Sequence, residues 1–469
     1  MASRKIFLAL KLLVGGVLGL LLISFAFLII ANIQSKNNLK GILARQKKEG
    51  FIMTPERLII HCPESGNAAI LIRQITQKFR FSIKAEEVAW RWFEEGKSIT
   101  DSEKDTIRNA INDNMFLDSL LKEAAAHPYY VPLIDYSQPI NKWYDENIQK
   151  FSAPYLLLIK VRAFIALEDH DTSMAQALCL TGLRIVDKMM FGYGSFLDYI
   201  IRYDLVMTSC EDIFSGSDAS EEICRQVVHA LNPDNIKKGF VDYMNWSRMA
   251  SLADGQDFLK GDMSLLSSLP YYSQGDLWKI YFHLKPLLRN DIARTQEYYV
   301  ELVKAAGKPY LEAEPVFESI TNNAKISFPW HDYLYLNLNE EIFYLNYVTV
   351  YIARMEVTRL AFACKAYAAR NGDFPSDLNL LAPEFLEVVP LDPFTGGVFR
   401  YRKFPEGGFV IYSAGINRRD DGADWKFDDF LDMLQKNPEC SDDIIWLELP
   451  PGTKMHLKIK ENLHTGGII

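Results

Sequence analysis

EEIFYLNYVTVYIARMEVTRLAFACKAYAARNG, residues 340–372, divides this chain into its parts. It reads as one long amphipathic helix that stops at Gly372, because glycine enters the left-handed conformation that ends helices at little cost. Before it, from about residue 51 to 345, the pattern is mostly helical. After it, short apolar runs alternate with glycine and proline. DFPSDLNLLAPEFL holds a Pro-Ser-Asp helix start and a short helix. In VVPLDPFTGGVFRYRKFPEGGFVIYSAGIN, TGG and PEGG read as turns, and VFRYR and GFVIYS as strands. The fold class expected is mainly α: an N-terminal transmembrane helix, an α-helical array as the body, and a small α+β C-terminal module with an antiparallel sheet.

The body is expected to be antiparallel helix pairs. VRAFIALEDHDTSMAQALCLTGLRIVDKMM (161–190) places Ala175, Leu178, Gly182, Ile185 and Met189 at three- and four-residue spacing. Gly182 on that face lets a neighbouring helix approach closely. ALEDHDTSMAQAL reads as the turn between two helices. FLDYIIRYDLVMTSCEDIF and EEICRQVVHAL continue the pattern, with Ser217 or Asp218 as cap of the second and Pro233 opening the next helix. No 34-residue period is sustained, so a loose array is expected rather than a repeat solenoid. Residues 255 to 340, rich in Leu, Tyr and Trp with several prolines, are expected to be irregular helices and loops.

LLVGGVLGLLLISFAFLIIA, Leu12 to Ala31, carries no charge and is long enough to cross a bilayer as a helix. Arg4, Lys5 and Lys11 precede it, and IIANIQSK lacks a small-x-small cleavage site, which points to an uncleaved signal anchor. Gly15 and Gly19 make a G-x-x-x-G pair, so a weak homodimer through them is one expected contact. Lys36, Lys40, Arg45, Lys47 and Lys48 follow the span. Taken alone, that basic flank would put the body in the cytoplasm, although long domains often cross regardless.

The 469 residues carry a net charge of −9, which excludes broad nucleic-acid binding, since that needs a basic face to displace counterions. Six cysteines (Cys62, Cys179, Cys210, Cys224, Cys364 and Cys440) form no C-x-x-C, which excludes zinc-ribbon and thioredoxin-like readings. Buried free thiols are expected; a Cys210–Cys224 disulfide is the alternative for an extracytoplasmic body.

IYSAGINRRDDGAD (411–424) gathers oxygen ligands at the end of a strand. Clustered carboxylates repel unless a cation offsets them, and calcium takes six to eight oxygens in a flexible arrangement. The candidate metal ligands are Ser413, Asn417, Asp420, Asp421, Asp424 and Asp443, with carbonyls near Ile411 and Gly415. The EF-hand spacing is absent. The competing reading is a solvated acidic turn, its Asp residues capping a helix at 426–435 and its charge neutralised by Arg418 and Arg419.

Tyr367, Gly372, Phe374-Pro375, Leu378, Leu381, Val389-Pro390, Asp392-Pro393, Gly396, Tyr401, Gly408-Phe409, Tyr412-Ser413, Gly415, Asp420-Asp421-Gly422 and Asp442-Asp443 stand in one order. That order resembles the C-terminal half of the type II secretion major pseudopilin, the G type, over about residues 347 to 448. The resemblance implies a helix followed by a strand that enters a calcium loop, with Asp421 and Asp443 as first-choice ligands. It also implies a module outside the inner membrane, hence a periplasmic body on a single-pass anchor. Pseudopilins carry a Glu near the start of their apolar helix; the apolar run here has none. The whole arrangement is similar to that of large uncharacterised bacterial membrane-anchored proteins. The expected divisions are a membrane anchor at 1–34, a helical domain at 35–345, the pseudopilin-like module at 346–450 and a tail at 451–469.

No catalytic or cofactor-binding constellation is legible. Gly192-Tyr193-Gly194-Ser195 is not G-x-S-x-G, and neither H-E-x-x-H nor a P-loop occurs. The eight His are dispersed, and pairs such as Glu94-Glu95 read as solvated helix faces. The expected role is a membrane-anchored envelope binding or scaffold protein with an unidentified protein partner, near secretion or envelope assembly. The alternative is an envelope enzyme with its site in a groove of the helical body.

Overall fold

The computed structural model describes residues 2–59, 61–93, 99–131, 133, 137, 140, 146–188, 206–211, 213–215, 218–260, 274–326, 341–405, 407–420, 422–423 and 444–448. Helix α1 (Ala2–Lys48) runs unbroken across residue 34, so the expected anchor and the start of the body are one element. Its 47 residues extend about 70 Å. Past the apolar span, Ser35, Ile42 and Gln46 are buried at seven- and four-residue spacing, one stripe facing a neighbour.

Helix α2 (Ala68–Lys78) lies against α5 (Asp118–Ala126) and α6 (Glu146–Glu168), and α3 (Ile83–Phe93) pairs with α4 (Asp101–Asn112). Thr100 and Glu103 close a reciprocal capping box on α4. α6 and α7 (Thr172–Asp187) form a hairpin; Asp171 caps α7 by accepting from the Met174 N–H at 3.0 Å. On α7, Ala175, Leu178, Gly182 and Ile185 are all buried, and a Cβ on Gly182 would sit 3.4 Å from Val206, so the glycine does admit its neighbour. Met189 lies outside the described residues.

Helix α8 (Glu221–Ala230) is capped by Ser220, whose hydroxyl accepts from Ile223 N–H; Asp218 offers only its carbonyl, to Gln176. Ser217 falls outside the described residues. Helix α9 (Pro233–Lys260) opens at Pro233 as expected, and the stretch read as irregular helices and loops, residues 255–340, contains two long helices, α10 (Gln274–Ala306) and α11 (Tyr310–Ile326). Pro286 and Pro315 sit inside α10 and α11, so neither proline ends its helix.

Helix α12 (Glu341–Asn371) differs from the amphipathic helix expected. From Leu345 to Ala366 almost every residue is buried, because α8, α9, α11 and the sheet cover it from several sides. It is a central helix, and its polar members Asn346, Thr349, Glu356, Thr358 and Lys365 must find partners inside the core.

Gly372, at φ +81°, ends α12, as its position predicts. Asp377 caps a 3-10 turn at Leu378–Leu381. Strands β1 (Arg400–Lys403), β2 (Phe409–Ser413) and β3 (Ile444–Glu448) form an antiparallel sheet in that order. Arg400 pairs with Tyr412, and Ile411 with Trp446. Gly407 and Gly408, both at positive φ, make the turn between β1 and β2. β2 and β3 pack on α12, and Phe409, Ile411, Ile444 and Trp446 of the sheet belong to the same buried cluster as residues of the body helices. Cys62, Cys179, Cys210, Cys224 and Cys364 are free thiols, so no bridge joins Cys210 to Cys224; Cys440 lies outside the described residues.

Candidate functional site

The oxygen-rich loop after β2 is built around a residue that stood in the motif series but not among the candidate ligands. Asp392 is fully buried. Its Oδ1 accepts from the Phe394 N–H (3.0 Å) and the Ser413 hydroxyl (2.9 Å), and its Oδ2 from the Ala414 N–H (3.2 Å). A buried carboxylate with three donors is satisfied without a cation. The same residue closes the preceding turn, its N–H donating to the Gly397 carbonyl and its carbonyl accepting from Gly396 N–H, both at 2.8 Å.

The candidate ligands that are described do not converge. Ser413 donates to Asp392 and accepts from Gly415 N–H at 3.2 Å. Asn417 Oδ1 accepts from Arg419 N–H at 2.6 Å, an Asx turn within the loop. Asp420 accepts from Tyr412 OH (2.9 Å), Gly422 N–H (3.0 Å) and Arg400 Nε (3.3 Å). The Tyr412 hydroxyl, with the Gly422 amide and the Arg400 charge, holds its carboxyl below the ordinary aspartate range. These three form a hydrogen-bonded loop rather than a ligand cage. Asp421, Asp424 and Asp443, and the expected helix at 426–435, lie outside the described residues. Among the described residues no three His, Cys, Asp or Glu side chains stand together as a metal-holding group.

One of the loop's two arginines reaches elsewhere. Arg418, at φ +59°, pairs with Glu314 of α11, and Arg400 from β1 pairs with Asp420. Glu314 is buried, and the Tyr310 hydroxyl lies 2.9 Å from both its Oε1 and the Asn346 side-chain oxygen of α12. Burial and the Glu314 charge push the Tyr310 hydroxyl far up, so it stays a donor. The Tyr310 ring meets Phe394 edge-on at 5.0 Å, and the Arg418 guanidinium stands 5.6 Å from its centroid. A Cβ on Gly396 (φ +69°) would come 3.2 Å from Leu311 Cδ1. The start of α11 is therefore seated between the 392–397 turn and the 414–418 loop, and the oxygen-rich loop fastens module to body.

A second polar centre fastens body to anchor. Arg248 of α9 is fully buried. Its Nη1 donates to Gln46 Oε1 (3.1 Å) and Gln296 Oε1 (3.3 Å), and its Nη2 to the Ile52 carbonyl. Gln46 Nε2 in turn donates to the Gln296 carbonyl at 3.0 Å. These partners are neutral. Burial lowers the guanidinium to about 10, so it stays charged at neutral pH. Nothing in YMNWSRMASLAD marks this arginine; its partner Gln46 is 202 residues away.

Among the described residues one helix, at the N-terminus, is long and apolar enough to cross a membrane. The architecture defines a mainly helical protein with such a helix and a small C-terminal antiparallel sheet. No family model matches the chain, and neither a curated protein nor a solved structure does.

Proposed function

We propose that the chain is a membrane-anchored binding or scaffold protein of a bacterial envelope. α1 crosses the inner membrane once, the body lies on the periplasmic side, and the pseudopilin-like module takes part in holding a protein partner during secretion or envelope assembly. The observation that carries this reading is the join between anchor and body. α1 continues without a break from its apolar span into a buried stripe, and Arg248 ties it to α9 and α10. A rigid join sets the height and direction of the body above the bilayer, which a flexible tether would not do. The periplasmic side is supported by the motif order at 347–448, which resembles a module that works outside the inner membrane. Calcium is the proposed ligand of the far end of the loop, Asp421, Asp424 and Asp443, because Asp420 already has three donors.

The test is an alkaline phosphatase fusion after Ile469 of the full chain, with a carbonate wash of the membranes. Phosphatase folds only outside the cytoplasm, so an active fusion that resists carbonate is expected. A silent fusion would overturn the periplasmic side, and release by carbonate would overturn the anchor.

A further inference from the structure

The polar contacts between α1 and α10 rise together along both helices, and their character changes with height. Farthest from the apolar run, Arg45 meets Glu297 (2.5 Å) and Lys304 meets Glu49 (3.6 Å). Midway, Asn38 meets Asn290 (3.4 Å). Nearest the run, the Arg289 guanidinium donates to the side-chain oxygen of Asn32, a neutral group. Asn32, Lys36 and Lys40 form one row on α1, each four residues from the next, so Lys36 neighbours the asparagine that Arg289 holds. Lys36 and Lys40 are exposed, and their row stands roughly 100° round the helix from the buried stripe of Ser35, Ile42 and Gln46. Among the described residues no carboxylate pairs with Lys36, Lys40 or Arg289. In a chain of net charge −9, cations without acids are collected at one end of this seam.

The uncharged run of α1 closes at Ala31, and Asn32 is the next residue. A bilayer is about 40–45 Å thick with a hydrocarbon core of about 30 Å, so the headgroup layer on each side is roughly 5–7 Å deep. At about 1.5 Å per residue, Asn32 stands at the base of that layer, and the Arg289 guanidinium with it. Lys36 stands roughly 7 Å up, at the outer limit of the layer, and Lys40 roughly 13 Å up, within one Debye length of it. Lys47 and Lys48 are roughly 24 Å up, out of reach. The anions met at headgroup level are lipid phosphates. A guanidinium is a planar fork that matches phosphate oxygens, and Arg289 gives only its Nη1 to Asn32 among the described residues. A lysine stem can lie along the interface while its ammonium stays among the headgroups.

We infer that Arg289 and Lys36, with Lys40 behind them, bind the phosphate of an anionic phospholipid at the surface from which α1 emerges. The inference rests on the reading of α1 as the anchor. A zwitterionic lipid carries its own cation beside the phosphate, whereas phosphatidylglycerol brings an unmatched negative charge, so the site selects the anionic lipid. One cation comes from α1 and the other from α10, so the bound headgroup bridges the two helices at the membrane end of their seam, as Arg248 does farther up.

Spin-labelled lipids test this on the full chain, reconstituted in phosphatidylcholine bilayers. A helix in a bilayer slows the acyl chains that touch it. Electron spin resonance reads the slowed fraction of a phosphatidylglycerol probe and of a phosphatidylcholine probe labelled at the same chain position. The wild type is expected to slow phosphatidylglycerol with a several-fold preference, and Lys36→Gln with Arg289→Gln to lose most of it, each read relative to its own slowing of phosphatidylcholine. Lys47→Gln with Lys48→Gln removes the same charge farther from the bilayer and is expected to keep the preference. Equal slowing of both probes by the wild type leaves these cations to solvent or a soluble anion; it overturns the inference and leaves the anchor standing. An equal loss in the two double variants marks a diffuse attraction and also overturns it. A wild type that slows neither probe is not in the bilayer, which overturns both readings.

Discussion

Replacing Lys365 with methionine tests how α12 is held to the sheet. Lys365 and Glu448 are both buried, with Nζ 2.5 Å from Glu448 Oε1 and 3.0 Å from the Phe214 carbonyl. The Trp446 indole N–H lies 3.3 Å from Glu448 Oε2, and the Phe362 ring sits between Phe214 and Trp446, 4.9 and 5.5 Å from them. Removing one partner of a buried pair costs about 3–5 kcal/mol, because the other charge is left desolvated. Methionine nearly matches the volume of lysine, so the cavity contribution is about 1 kcal/mol or less. Lys365→Met should therefore cost about 4 kcal/mol, a large share of a typical stability of about 5–15 kcal/mol. Pairing it with Glu448→Met removes both charges and should recover most of the loss, leaving about 1 kcal/mol each for the groups of Phe214 and Trp446 left without a partner. Urea unfolding of the full chain in detergent micelles, followed by tryptophan emission, reads the wild type and both variants. A Lys365→Met protein within about 1 kcal/mol of wild type, or a double variant no more stable than the single, would refute the argument.

Asp187 gives a pH dependence with a definite sign. Burial raises its carboxyl from about 3.8 to about 6, against the lowering effect of the Asn235 amide. The folded state thus binds the proton more tightly than the unfolded one. Stability from this group is greatest below the unfolded value and falls as pH rises toward 6; a shift of about 2 units is a cost of about 3 kcal/mol above it. Asp187→Asn keeps an acceptor for Asn235 and should stabilise the chain by about 2–3 kcal/mol near pH 7.5 and by little near pH 4, checked by thermal melts at both. For the loop, calcium at about 100 times its dissociation constant should add about 2.7 kcal/mol relative to EDTA, with the gain lost in Asp421→Ala. Equal melts with calcium and EDTA in wild type would remove calcium from the proposal.

Much of the fold was legible because its signals are local. The span of α1, the end of α12 at Gly372, and the TGG and PEGG turns follow from apolar length and from glycine's access to positive φ. The stretch 255–340, read as irregular helices and loops, holds two long helices, and α10 and α11 carry Pro286 and Pro315 inside them. The amphipathic reading of α12 failed because it was given only one buried face, and neighbours on several sides cover it. At the loop, the sequence singled out Ser413, Asn417 and Asp420, and each of them is hydrogen-bonded there. It did not show that Asp392 is the carboxylate at the centre, since an acid before a proline in a turn looks the same exposed or buried.

What the sequence determined by itself was therefore the succession of elements: one membrane-length helix, a helical body, and a short sheet after a glycine stop. The tertiary structure alone decided which polar groups meet. Arg418 finds Glu314 across 104 residues, Lys365 finds Glu448 across 83, and Arg248 finds Gln46 across 202. Periodicity and turn chemistry act over one or two turns of chain, so they leave a record in neighbouring letters. A buried charge is matched by whatever the fold brings within about 3 Å of it, and that distance has no counterpart along the sequence.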